Sequence, residues 1–156
     1  MMKNVSVEIG SVRDIPAVMG VMDTAFDPEF GERWTENQCL SALSMSNYHL
    51  FVALSDGIIV GFALIRTIID ESELLMIGVH PNWQRMSIAS SLLDKIILYC
   101  HQYNHRQIFL EVRSGNAAEQ FYAKIGFYAI GNRPNYYCGP GGSRFDAITM
   151  SKKLID

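Results

Sequence analysis

The sequence predicts a mixed α/β fold, in which a mixed sheet carries helices on its faces. Segments rich in β-branched and aromatic residues alternate with segments whose apolar residues recur at helical spacing, in the order β, α, α, β, β, β, α, β, α, β, β. The 156 residues are 49% hydrophobic and 19% charged, which is enough for one core and typical of an ordered protein. We therefore expect about seven strands and four helices in a single domain over residues 1–156.

The first half predicts two helices and four strands. A short strand is expected over residues 6–10, and a helix follows Asp14 because apolar residues then recur at helical spacing as far as Phe26. Thr35 and Gln38 have the spacing of a capping box, so a second short helix should run to about Met45. The segments at residues 48–54, 58–69 and 73–79 predict a hairpin followed by a third consecutive strand.

The second half begins with a long helix over residues 84–103, directly after a strand. A buried strand is expected over residues 108–112, and Asn116 can cap a helix that ends at Ile125, where Gly126 stops it. Two closing strands at residues 128–133 and 145–152 should flank a loop at residues 134–143.

Charge and composition narrow the possible functions. A net charge of −3 argues against general nucleic-acid binding and favours a cationic partner. No apolar run approaches a membrane span, and the start lacks a signal-peptide core, so we expect a cytoplasmic protein. The three cysteines are interpreted as reduced thiols, and we expect no metal, because His101 and His105 have no third ligand nearby and are interpreted as contacts of a helix C-terminus.

The junction between the third consecutive strand and the long helix is a candidate phosphate site. Free backbone N–H groups and the helix dipole favour an anion at such a helix start, although an ordinary strand-to-helix turn has the same spacing. The junction contains Gln84, Arg85, Met86, Ser87, Ile88 and Ala89.

This junction resembles the pyrophosphate loop of the GNAT superfamily of acetyltransferases, Gln/Arg-x-x-Gly-x-Gly/Ala. Ser87 stands where that superfamily usually has glycine, and Ser90 where a basic residue is common. The Ser87 side chain could crowd the pyrophosphate or donate an additional hydrogen bond to it, and the sequence leaves both open. The resemblance implies a GNAT-like fold and acetyl-CoA as the co-substrate, bound by Ile77, Gly78, Val79, Arg85, Met86, Ser87, Ile88, Ala89, Ser90 and Asn116; for Asn116, capping a helix is equally compatible.

Residues 110–127 contain Leu-Glu-Val-Arg, Asn-Ala-Ala and a tyrosine before Gly-Phe, and resemble the RimI-type branch of that superfamily, which acetylates protein N-termini. The resemblance implies that Glu111 is the general base, that Tyr122 is the general acid and that Tyr136 and Tyr137 line the acceptor pocket. It also implies an acceptor: the N-terminal alanine of the eighteenth small-subunit ribosomal protein. An α-amino group, with a pKa of about 7.7–8.0, is already partly neutral near pH 7, so a carboxylate acting through water suffices as the base.

Other interpretations stay open at this point. Glu111 could be a surface carboxylate paired with Arg113, and Tyr122 a packing aromatic. The acidic residues Asp27, Glu29 and Glu32 fit a solvated loop as well as an acceptor entrance. The enzyme could instead acetylate a lysine, a polyamine or another small amine, Cys138 could act as a covalent nucleophile, or the domain could bind coenzyme A without turnover; the oligomeric state is left open.

Overall fold

One sheet of seven strands runs through the residues described by the computed structural model, 4–84 and 87–155. Its strands lie in the order β1-β2-β3-β4-β5-β7-β6, and β4–β5 is its parallel pair. The strands are β1 Val5–Ile9, β2 Tyr48–Ser55, β3 Ile58–Ile68, β4 Glu71–Val79, β5 Gln107–Arg113, β6 Tyr128–Cys138 and β7 Arg144–Lys153.

Four helices in the described residues cover the two faces of this sheet: α1 Ile15–Ala25, α2 Glu36–Leu43, α3 Ile88–Gln102 and α4 Ala118–Ile125. Successive residues of β2 enter different cores, as strand geometry requires: Leu50 packs with α1 and α2, and Phe51 packs with α3 and α4. The predicted mixed sheet with helices on its faces is therefore confirmed.

Local sequence signals account for several of the element ends. Both hydrogen bonds of the predicted capping box form at α2, because the Thr35 hydroxyl accepts from the Gln38 amide at 3.1 Å and the Gln38 side chain accepts from the Thr35 amide at 2.7 Å. Gly126 ends α4 with φ of 111°, a conformation that side chains disfavour.

The predicted start of the long helix at Gln84 is wrong, because α3 begins at Ile88. Pro81 opens a short 3-10 turn, Pro81–Trp83, after which Gln84 is extended, and Ser87 takes a left-handed conformation with φ of 62°. Neither conformation continues an α-helix.

The predicted loop at residues 134–143 is also too long, because β6 continues to Cys138. The ladder with β7 is interrupted between Arg133 and Tyr137, where Pro134 has no N–H to donate and Asn135 has φ of 56°. The strand then pairs again, so Tyr136 and Tyr137 lie on a strand and not in a loop.

Candidate active site

Strands β4 and β5 separate in the middle of the sheet. Their parallel pairing extends from Glu71 opposite Gln107 to Leu74 opposite Leu110, although both strands continue beyond it. Over that stretch β4 pairs with β3 on its other side, and β5 pairs with β7. The facing edges of β4 and β5 therefore present backbone groups to the space between them.

A cavity of about 760 Å³ occupies this space. A smaller cavity of about 300 Å³ adjoins it around the start of α3, sharing Val79 and Ala89 with the first. The larger cavity brings together Ile77, Gly78, Val79, Ala89, Glu111, Asn116, Tyr122, Tyr136 and Tyr137, and the smaller one adds Ser87, Ile88 and Ser90. Arg85 and Met86 lie outside the described residues.

Glu111 projects into the larger cavity from β5, and its side chain is only 7% exposed. Arg133 Nε lies 3.1 Å from one carboxylate oxygen, and the Thr149 hydroxyl donates to the other at 2.6 Å. The interpretation of Glu111 as a surface carboxylate paired with Arg113 is therefore wrong.

No role was predicted for Arg133 or Thr149 from the sequence. Thr149 stands directly opposite Glu111 in the register of β5 with β7. That register is the signal that could have identified Thr149, but it depends on β7 lying between β5 and β6, which local sequence does not specify.

Tyr122 lies on α4 with 6% of its surface exposed, between the rings of Phe121 and Phe127. Burial, and then the negative charge of Glu32, raise the pKa of its phenol well above the usual value. The side chain is both a packing aromatic and a cavity-lining phenol, and the phenol stays protonated at neutral pH.

Two further tyrosines lie beside Glu111. The Tyr137 hydroxyl donates to the Glu111 backbone carbonyl at 3.3 Å, and burial, followed by the charge of Glu32, raises the pKa of Tyr137. Tyr136 stacks edge-on against Tyr137 with ring centroids 4.9 Å apart, and burial raises its pKa too.

The start of α3 has the features of an anion site. No side chain of the described residues caps this terminus, and the Ser91 amide and hydroxyl both donate to the Ser87 carbonyl. The first-turn amides of Ile88, Ala89 and Ser90 therefore stay available to a ligand. A left-handed residue other than glycine costs roughly 1–2 kcal/mol, so the backbone favours glycine at position 87.

Asn116 has a clear structural role beside the cavity. Its side-chain oxygen accepts a hydrogen bond from the Ala118 amide at 2.9 Å, where α4 begins. The N-cap residue of α4 is Ala117, so Asn116 supports the start of the helix from one position earlier, and its side-chain NH₂ group is left for a second contact.

The α1–α2 loop, residues 26–35, forms another wall of the cavity. Glu32 Oε1 lies 3.2 Å from Arg113 Nε, and the Arg113 guanidinium lies 3.6 Å from the centre of the Phe30 ring. The Glu32 side chain is 13% exposed, so at this position the loop is not a solvated segment. The pair joins positions 81 apart in the sequence, so no local pattern predicts it.

The cysteine and histidine side chains lie elsewhere. The Cys138 thiol donates to the Gly139 carbonyl and is not among the described residues that line the cavity, while Cys39 and Cys100 are buried free thiols. The His105 ring bonds the Ser72 hydroxyl at 2.6 Å, so the interpretation of His105 as a contact of a helix C-terminus does not hold for its side chain. Within residues 4–84 and 87–155 there is no helix long and apolar enough to cross a bilayer.

Residues 21–137 match the family model described as an acetyltransferase (GNAT) domain. The chain belongs to the GNAT family. The N-acetyltransferase expected from the sequence, and its GNAT-like fold, are therefore confirmed.

Curated relatives carry the name [ribosomal protein bS18]-alanine N-acetyltransferase. The chain is 38% identical to that protein of Haemophilus influenzae over 93 residues, 60% of this chain and 64% of the relative. It is 33% identical to the Haemophilus ducreyi protein over 78% of this chain and 83% of the relative, and 33% identical to that of Escherichia coli K12 over 76% and 79%.

Solved structures agree with this relationship. The ribosomal-protein-S18-alanine N-acetyltransferase from Escherichia coli superposes with a TM-score of 0.87 at 28% identity, covering 98% of this chain and 96% of that one. Ard1 from Thermoplasma volcanium gives 0.83 at 26% identity, covering 97% and 99%. The PaiA N-acetyltransferase from Thermoplasma acidophilum, solved in complex with coenzyme A, shares the fold at 17% identity with a TM-score of 0.77, covering 96% and 99%.

Proposed function

We propose that the protein transfers an acetyl group from acetyl-CoA directly to the N-terminal α-amino group of a protein, and that the acceptor is the N-terminal alanine of ribosomal protein bS18. The observation that carries the proposal is the cavity between β4 and β5, which joins an uncapped helix start to Glu111 and Tyr122. The acceptor follows from the names of the relatives. A ribosomal acceptor places the reaction in the cytoplasm, and we further propose that residues 1–156 make up a single GNAT domain.

The residues present fit acetyl-CoA, which supplies the activated acyl group. We define the donor side of the cavity as the β4 edge from Ile77 to Val79 together with the first turn of α3. Amides of the open β4 edge would hold the pantetheine arm and thioester, and those of Ile88 to Ser90 the pyrophosphate. Arg85, Met86 and Asn116 are proposed as further contacts.

Glu111 is proposed as the general base. Thr149 and Arg133 each occupy one site on its carboxylate oxygens, and each oxygen keeps a further lone pair for a water molecule. Through that water, Glu111 would remove the proton from the acceptor amine. The two hydrogen bonds hold the carboxylate in one orientation, which favours a proton transfer of defined geometry.

Tyr122 is proposed as the general acid. Because its pKa is raised, the proton stays on the phenol throughout the physiological range, ready for the departing sulfur of coenzyme A. Tyr136 and Tyr137 are proposed to line the acceptor path beside Glu111. We define the acceptor side of the cavity as Glu32, Glu111, Tyr136 and Tyr137.

The test is thiol release from acetyl-CoA with short peptides. One peptide begins with the alanine sequence of the bS18 N-terminus, and a matched one carries a blocked N-terminus and an internal lysine. We expect rapid release with the first and little with the second, and intact mass should locate the acetyl group on the α-amino nitrogen. Faster acetylation of the lysine side chain would overturn the assignment of an N-terminal acceptor. The absence of thiol release with every amine tested would overturn the proposed acetyl transfer.

A further inference from the structure

Arg113 contacts the α1–α2 loop from the end of β5, two positions after Glu111. Its Nε lies 3.2 Å from Glu32 Oε1, and its guanidinium stacks 3.6 Å from the centre of the Phe30 ring. One side chain therefore makes an ion pair and a cation–π contact with the same loop.

This contact is shielded from solvent, unlike the other ion pair of the loop. The Arg113 and Glu32 side chains are 16% and 13% exposed, whereas Arg33 and Asp23, 3.8 Å apart, are 36% and 60% exposed. An exposed pair contributes little to stability, but removing one member of a shielded pair leaves a poorly hydrated charge without a partner. Arg113 should therefore hold the loop far more firmly than Arg33 does.

The opposite side of the loop is held beside the turn between β6 and β7, by the strand ends that flank this turn. Phe30 packs edge-on against Phe145 with ring centroids 5.1 Å apart. Gly31 has φ of 71°, and a Cβ at this position would overlap the Cys138 carbonyl oxygen, so the two backbones touch. Arg113 on one side and these strand ends on the other enclose the loop.

We propose that Arg113 is a positioning residue that fixes the α1–α2 loop against β5, so that Glu32 and Phe30 form a wall of the acceptor side. The inference deepens the proposed function and rests on it, because it assigns to the loop the binding of the acceptor. After burial, Glu32 is the next largest cause of the raised pKa of Tyr122 and of Tyr137, so the position of the loop affects both phenols. The ion pair and the ring contact of Arg113 do not involve the donor side, which the loop meets at a different residue, Phe26, whose ring lies beside Gly78.

The expected signature is a selective loss of acceptor binding. Arg113→Met keeps the length of the side chain but removes the charge and the planar guanidinium. We expect the KM for the alanine peptide to rise tenfold or more, while the KM for acetyl-CoA stays within twofold. Arg113→Lys retains a cation but not the guanidinium fork, and should lie between wild type and Arg113→Met.

Hydrogen exchange tests the same inference by a measurement that does not depend on enzymatic activity. Amide exchange of residues 28–34 should accelerate at least tenfold in Arg113→Met and in Glu32→Gln, which removes the pair from the loop side. Arg33→Met is the matched control, because it removes a cation from the same loop, and should leave both the exchange and the acceptor KM unchanged.

The results separate the two proposals. An inactive wild type would overturn the proposed function, while exchange would still decide whether Arg113 holds the loop. Unchanged exchange in folded Arg113→Met or Glu32→Gln would overturn the inference, as would an equal rise of both KM values. If Arg113→Met does not fold, Glu32→Gln and Arg113→Lys decide the outcome.

Discussion

The donor side of the cavity presents mainly backbone from one stretch of chain, whereas the acceptor side presents charged and aromatic side chains from distant segments. Residues 77–79 and 88–90 supply the donor side, through the open edge of β4 and the first turn of α3. The acceptor side takes Glu32 from one loop, Glu111 from β5 and Tyr137 from β6. Backbone groups suffice to bind a cofactor that is the same in every reaction cycle. Discrimination between amine acceptors depends on side chains.

This difference predicts that variants on the acceptor side change catalysis and leave cofactor affinity intact. Glu111→Gln should have the largest effect, lowering kcat by about 10²–10⁴-fold because the amine loses its base. The dissociation constant of coenzyme A, measured by calorimetry, should not change. Glu8→Gln, at an exposed position of β1, is the control. A Glu111→Gln enzyme with wild-type kcat would exclude Glu111 as the base.

Removal of the Tyr122 hydroxyl should have the second largest effect on kcat. We expect Tyr122→Phe to lower kcat about a hundredfold, because the ring still packs but has no proton to give. Exposed Tyr128→Phe should behave like wild type. Stopped-assay kinetics with the alanine peptide measure both, and equal losses in the two variants would contradict the assignment.

The raised pKa of Tyr122 also predicts how kcat/KM depends on pH. Because the raised pKa keeps Tyr122 neutral, alkaline conditions should not remove the acid. The value of kcat/KM should rise through the amine pKa of about 7.7–8.0 and then stay level up to about pH 10. A fall between pH 8 and pH 9 would indicate a different acid.

Thr149 should matter less than the groups that exchange protons. Thr149→Val keeps the shape but removes the hydroxyl that donates to Glu111, and should lower kcat about tenfold, since hydrogen bonds to charged groups contribute about 1.5–3 kcal/mol. Thr67→Val on β3, away from the cavity, is the comparison. A change in the acceptor KM without a change in kcat would argue against orientation of the base.

The smallest effect should come from the donor side. Ser87→Gly removes the Cβ and permits closer approach of a phosphate, so coenzyme A should bind about three- to tenfold more tightly. Ser87→Ala keeps the Cβ and removes the hydroxyl, and should bind coenzyme A like wild type. If Ser87→Ala weakens binding and Ser87→Gly does not tighten it, the hydroxyl donates to the ligand instead.

The sequence prediction was correct for several local features and wrong at two element ends. The order of elements, the capping box of α2 and the end of α4 at Gly126 depend on contacts within a few residues, and they were predicted correctly. The start of α3 was misplaced because Ser87 adopts a left-handed conformation, which serine does not signal strongly. The end of β6 was misplaced because pairing with β7 resumes at Tyr137 after the interruption at Pro134 and Asn135, and that resumption depends on the partner strand.

By itself, the sequence determined the mixed α/β fold, the resemblance to GNAT enzymes and the residues that could carry acetyl transfer, because periodicity and motifs are local. Only the tertiary structure decided which groups surround them. Thr149 reaches Glu111 because β7 inserts beside β5, and Arg113 reaches Glu32 because the α1–α2 loop folds over the sheet. Such contacts depend on the path of the whole chain and on charges that become shielded only after folding, so no short segment specifies them.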